Sequence, residues 1–107
     1  MKFKMNDRTW EIKEVDEQSI IDILQPQEEE KIIVANGVTD FQQQMIFLNE
    51  KLHLEMKKQT LYHELMHCYI RCYIIFNQLA EINEEMLCDI SANSHDIIHK
   101  IVEDYFK

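Results

Sequence analysis

Apolar and polar positions alternate through residues 1–15, and the period changes further along the chain. In "MKFKMNDRTWEIKEV", Phe3 and Met5 precede Asn6-Asp7, and Trp10, Ile12 and Val15 follow. Alternation on both sides of a turn dipeptide predicts a β-hairpin, with Trp10 in its core. "DEQSIIDIL", residues 16–24, opens on acidic residues and stops before Gln25-Pro26, which predicts a short helix. "QPQEEE" is a polar break whose acidic run reads as a solvated loop. "KIIVANGVTDF" reads as a strand, with a turn or a bulge at Asn36-Gly37. "MIFLN", residues 45–49, is a second apolar run, joined to the first through Gln42-Gln43-Gln44. The two runs predict a hairpin on a small antiparallel sheet.

The second half has helical spacing. Glu55 to Phe76 contains neither Gly nor Pro, and Leu61, Leu65, Cys68, Cys72 and Ile75 fall on one stripe. "NQLAEIN" is a connection with an Asn at each end. Glu84 to Phe106 again lacks breakers, and Leu87, Ile90, Ile97, Ile98, Ile101 and Val102 supply its apolar faces. The expected class is α+β: a small antiparallel sheet packed on two long helices. No internal repeat or boundary divides residues 1–107, so one domain is expected.

Composition narrows the function classes. The chain has 107 residues with one Gly and one Pro, which favours long regular elements. Twenty acidic against eleven basic side chains give a net charge of −9. Nucleic acid and anionic membrane surfaces are therefore poor partners, because both demand clustered Lys and Arg. A basic protein segment would be attracted. Three cysteines, no CxxC, no signal-peptide stretch and no apolar run of membrane-spanning length predict a reduced, cytoplasmic protein.

Candidate chemistry lies in "TLYHELMHCYI", residues 60–70. His63 and His67 are four apart, so on a helix they share one face and their ring nitrogens can converge on one ion. Glu64 is turned aside from that pair, yet close enough to reach a water beside the metal. A hydrolytic site needs a third ligand. In "INEEMLCDI", residues 82–90, Glu85 and Asp89 also lie four apart, at the start of a helix that must fold back beside the first. Glu85 would bind the metal, and Asp89 would accept a hydrogen bond from the second nitrogen of a ligand imidazole. Glu84 is the competing ligand position.

Other pairs are read as structural. Cys68 and Cys72 read as small packing groups. His95 and His99, too far along the second helix to join the site, read as an exposed polar face. Tyr62, Tyr69 and Tyr73 are candidates to donate to a reacting oxygen, with no basis for choosing among them.

"HELMH" followed by "NEEMLCD" resembles the gluzincin pattern of zinc metallopeptidases, in which a later helix carries a glutamate and, four residues beyond, an aspartate. The wider text, from "GVTDFQQQMIFLNEKL" to "EEMLCDISA", resembles small ImmA/IrrE-type metallopeptidase-like proteins of Firmicutes phages and mobile elements. The resemblance covers residues 32–107 and implies a minimal zincin-like domain. It implies His63, His67 and Glu85 as zinc ligands, Glu64 as general base and Asp89 as the partner behind a ligand. The repeated spacing to Asp89 favours Glu85 over Glu84. It also implies that "MIFLN" lies near the site as an edge strand for an extended peptide. The chain lacks the extra C-terminal region of larger members and an obvious downstream His or Tyr.

The resulting expectation is a zinc-dependent metallopeptidase acting on a protein or peptide, a transcriptional regulator being the partner class the resemblance suggests. The alternative is a zinc-stabilised module that binds a regulatory protein without cutting it.

Overall fold

The computed structural model describes residues 1–24, 36–74 and 84–107, apart from the side chains of Leu24, Ile74, Glu84, Glu85, Met86, Leu87 and Asp89. Strands β1 (Lys2–Met5) and β2 (Arg8–Val15) form the expected hairpin. Asn6 and Asp7 both take positive φ, 50° and 64°. That is the handedness a two-residue turn needs to match the twist of its strands, and Asn and Asp tolerate it. Helix α1 (Glu17–Leu24) follows, started by Asp16, whose carboxylate accepts the Ser19 N–H at 2.7 Å. Strands β3 (Gly37–Asp40) and β4 (Met45–Asn49) form the second hairpin. Its turn is held by Asp40 Oδ1, which accepts the N–H groups of Gln42 and Gln43. Helix α2 (Leu54–Tyr69) runs into a π-helical turn (Ile70–Ile74), and helix α3 (Glu84–Tyr105) completes the chain.

The class is α+β, as expected. Both hairpins are antiparallel, but the sheet is mixed: its order is β1-β2-β4-β3, and the central pair β2 and β4 is parallel, with Ile12 opposite Ile46. The reason lies in α1. A helix between the hairpins carries the chain across the sheet, so β4 re-enters beside β2 in the same direction. This corrects the expected place of "MIFLN". It is a central strand, and the edge is β3. The strand predicted from residue 31 onward is described only from Gly37, and the "QPQEEE" and "NQLAEIN" connections and Ile75 lie outside the described residues.

Alternation assigns the faces. Phe3, Met5, Trp10, Ile12, Ile46 and Leu48 are buried on one face, beneath Leu61, Leu65, Cys68 and Cys72 from the α2 region and Ile90, Ile98, Ile101 and Val102 from α3. On the opposite face, Ile20 of α1 packs with Val38 and Phe47. Ile97, expected in the apolar face of α3, is 37% exposed, because the stripe that meets α2 and the sheet runs through Ile98 and Ile101 instead. Burial pushes the Cys68 and Cys72 thiols up, so both remain protonated packing groups.

The π-helical turn is tied to the first hairpin. Asn6 Nδ2 donates to the Cys72 carbonyl at 2.7 Å, and the Asn6 N–H donates to the Tyr73 hydroxyl at 2.9 Å. Such a wide turn loosens the regular carbonyl ladder, and here a side-chain amide takes up one carbonyl.

Glu14 joins three elements. Its carboxylate pairs with Lys57 of α2 and accepts the Tyr105 hydroxyl of α3 at 2.7 Å. The Lys57 hydrogen bond, helped by Tyr105, holds the Glu14 carboxyl below its ordinary value. A depressed carboxyl stabilises the fold above the unfolded-state value of about 4.3, and that contribution fades as pH falls through it. Melts of Glu14→Gln should therefore fall below the parent at pH 7, and the difference should narrow as the pH drops below the ordinary carboxylate range. The group is one-third exposed, so the difference at pH 7 should stay below about 1 kcal/mol.

Candidate metal centre

The centre is built on α2 where it crosses the edge strand. The crossing is close because β3 begins with Gly37: a Cβ there would lie 2.7 Å from Thr60 Cγ2 and 3.0 Å from the Phe47 carbonyl oxygen. Gly37 does not take positive φ, so the expected turn or bulge is replaced by a strand start that needs glycine for space.

One turn beyond Thr60, Glu64 enters the same crevice and is buried. The Thr39 hydroxyl of β3 donates to Glu64 Oε1 at 2.9 Å. Glu64 Oε2 lies 3.9 Å from His63 Nε2. One carboxylate oxygen is therefore anchored by the sheet, and the other is turned to the imidazoles. Nothing in the sequence pattern marks Thr39 for this role. It follows from the strand's register, which puts Gly37 and Thr39 on the side facing α2.

His63 and His67 project from the outer side of the helix, with ring centroids 4.8 Å apart. Their Nε2 atoms are 3.2 Å apart. Two nitrogens bound at about 2.0–2.1 Å with a tetrahedral angle would be about 3.3 Å apart. The imidazole pair thus has the span of a shared ion. His63, Glu64 and His67 offer ligand atoms all within 4.8 Å of one another, the one such group among the described residues. Two imidazole nitrogens and a carboxylate suit a borderline divalent ion such as zinc.

Glu85 and Asp89 lie in the first two turns of α3, and their side chains fall outside the described residues, as does that of Glu84. The tyrosines are placed. The Tyr62 hydroxyl is 2.7 Å from His99 Nδ1, the Tyr73 hydroxyl accepts the Asn6 N–H, and Tyr69 is buried. His95 and His99 are exposed on α3 with stacked rings, as expected of a polar face.

A sheet edge and a cleft lie beside the imidazoles. The Asn49 N–H donates to the Asn36 carbonyl at 2.9 Å. Along an antiparallel ladder, Gly37 and Thr39 then fall where backbone N–H and C=O groups point away from β4, toward the edge of the sheet formed by the described strands. Beside that edge a cleft of about 340 Å³ is lined by Asn36, Gly37, Met56, Gln59, Thr60, His63 and Glu64.

The family model of the IrrE N-terminal-like domain, a peptidase family, matches residues 19–101. The chain belongs to the IrrE N-terminal-like domain family. No match to a curated protein or to a solved structure was found. The stretch shared with the IrrE N-terminal-like family runs from α1 into the last turns of α3 and contains the imidazole pair, Glu64, Thr39 and Glu85. The β1–β2 hairpin precedes it. No helix among the described residues is long and apolar enough to cross a membrane.

Proposed function

We propose that the chain is a zinc-dependent metallopeptidase whose ligands are His63, His67 and Glu85. The observation that carries this reading is the 3.2 Å span of the two Nε2 atoms with the Glu64 carboxylate beside them. A zinc ion held there supplies Lewis acidity toward a peptide carbonyl and makes a neighbouring water more acidic. Glu64 takes the proton of the attacking water and returns it to the leaving amide nitrogen. Thr39 holds one oxygen of that carboxylate, so the base keeps its orientation through both transfers. Asp89 accepts a hydrogen bond from the far nitrogen of a ligand imidazole and fixes its tautomer. The outward backbone groups of Gly37 and Thr39 pair with an extended substrate as an added strand. The substrate class is a protein or peptide, with a transcriptional regulator as the proposed partner in a cytoplasmic setting.

The test is cleavage of a randomised peptide library by the zinc-loaded chain, read by mass spectrometry. Defined cut sites that a chelator abolishes and added zinc restores are expected. Tight capture of a peptide that stays intact would replace the peptidase with a non-cutting interaction module.

A further inference from the structure

A second cavity, of about 180 Å³, lies at the far end of β3 from the cleft beside Glu64, and is lined by Arg8, Trp10, Phe41, Gln42 and Arg71. These two arginines are the only ones in the chain, which carries twenty acidic side chains. Neither forms an ion pair among the described residues. Arg71 lies over the Phe41 ring, 4.6 Å from its centroid, and Phe41 meets the Trp10 ring edge-on. Stacking fixes the guanidinium plane and leaves its N–H edge free to form two parallel bonds with a carboxylate.

The cavity adjoins the proposed centre. Arg71 follows His67 by one helical turn, roughly 6 Å along the axis. Phe41 follows Thr39 by two residues, about 7 Å along the strand direction. A peptide paired to the edge of β3 would therefore pass the imidazoles and reach the arginines about two residues later. Arg8 and Trp10 belong to the hairpin outside the family match at residues 19–101, whereas Phe41, Gln42 and Arg71 lie within it.

The geometry points to a carboxylate-binding subsite, formed by Arg8 and Arg71, that selects peptides carrying an acidic side chain or a free C-terminus on one side of the bond to be cut. The chain's overall negative charge favours basic segments. This local positive spot selects a carboxylate within such a segment. The inference rests on the peptidase reading for its place along the substrate, but the binding itself does not require cleavage.

Trp10 is the chain's single tryptophan, so its emission reports occupancy. The zinc-loaded Glu64→Gln protein would be titrated with three probes: acetyl-Ala-Glu-Ala-amide, acetyl-Ala-Gln-Ala-amide, and acetyl-Ala-Ala-Ala with a free carboxylate. Saturable binding of at least one carboxylate peptide is expected, about tenfold tighter than the glutamine peptide. Preference for the first carboxylate probe assigns the site to acidic side chains, and preference for the last assigns it to chain ends. Arg8→Gln and Arg71→Gln should each weaken that binding toward the glutamine level. Arg8 is exposed at the start of a strand, so its variant keeps the test valid if the Arg71 variant fails to fold. Equal binding of the glutamate, glutamine and free-carboxylate peptides, or unchanged affinity in the Arg8 variant, would overturn the subsite. A flat titration beside chelator-sensitive library cleavage removes the subsite alone. Carboxylate-dependent binding without any cleavage removes the peptidase reading alone.

Discussion

Glu64→Gln should abolish peptide hydrolysis while the protein stays folded and keeps its zinc. The substitution preserves shape and burial, and the Thr39 hydroxyl can still donate to the remaining side-chain oxygen as it does at 2.9 Å in the parent. What disappears is the ability to accept a proton from water. A positioned general base contributes about 10²–10⁴-fold, so the loss should reach at least that range. Initial rates on a cleaved library peptide, with metal content measured on the same samples, check it. A variant as fast as the parent would discard Glu64 as the base, and zinc loss in the variant would show that the carboxylate serves the metal directly.

The second large effect concerns the ligands. His63→Ala, His67→Ala and Glu85→Ala should each lose zinc, with melting points close to that of the chelated parent. With free zinc about a thousandfold above its dissociation constant, binding stabilises the native state by about 4 kcal/mol. For a chain of this size that corresponds to a fall of about 15–20 °C on chelation. Glu85→Ala is the most informative of the three. Ser94 of α3 lies against Met66, between the two imidazoles in sequence, and Glu85 precedes Ser94 by roughly 13 Å of helix axis. Zinc retained at parental affinity in Glu85→Ala would move the third ligand elsewhere. Glu84→Ala, the neighbouring alternative, should keep its metal.

The parts of this fold legible in the sequence are those that depend on local spacing. The first hairpin, α1 and the apolar stripes of α2 and α3 follow from period and turn chemistry, and so does the imidazole pair, because four residues on a helix suffice to align two rings. The order of strands was not legible. Whether "MIFLN" sits at the edge or the centre depends on a pairing with β2 that no local pattern encodes, and its apolar composition suits either place. For the same reason Thr39 gave no signal. Its partner Glu64 is brought to it only when α2 crosses the edge strand at Gly37. Arg8 and Arg71 were equally silent, since their meeting depends on the hairpin folding against the π-helical turn.

The parallel pairing at the middle of the sheet also bears on how the molecule assembles. Ile12 and Ile46 come from distant parts of the chain, so closing that ladder costs more chain entropy than either hairpin, each of which zips up locally. The two hairpins can therefore nucleate early, and the step that joins them is the slow one. The imidazole pair can gather on α2 before that step, because it needs only a formed helix. The Thr39 contact requires the second hairpin docked on α2, and the two-arginine cavity requires the join itself. A newly made chain would align its imidazole pair first and complete the Thr39 contact and the two-arginine cavity last.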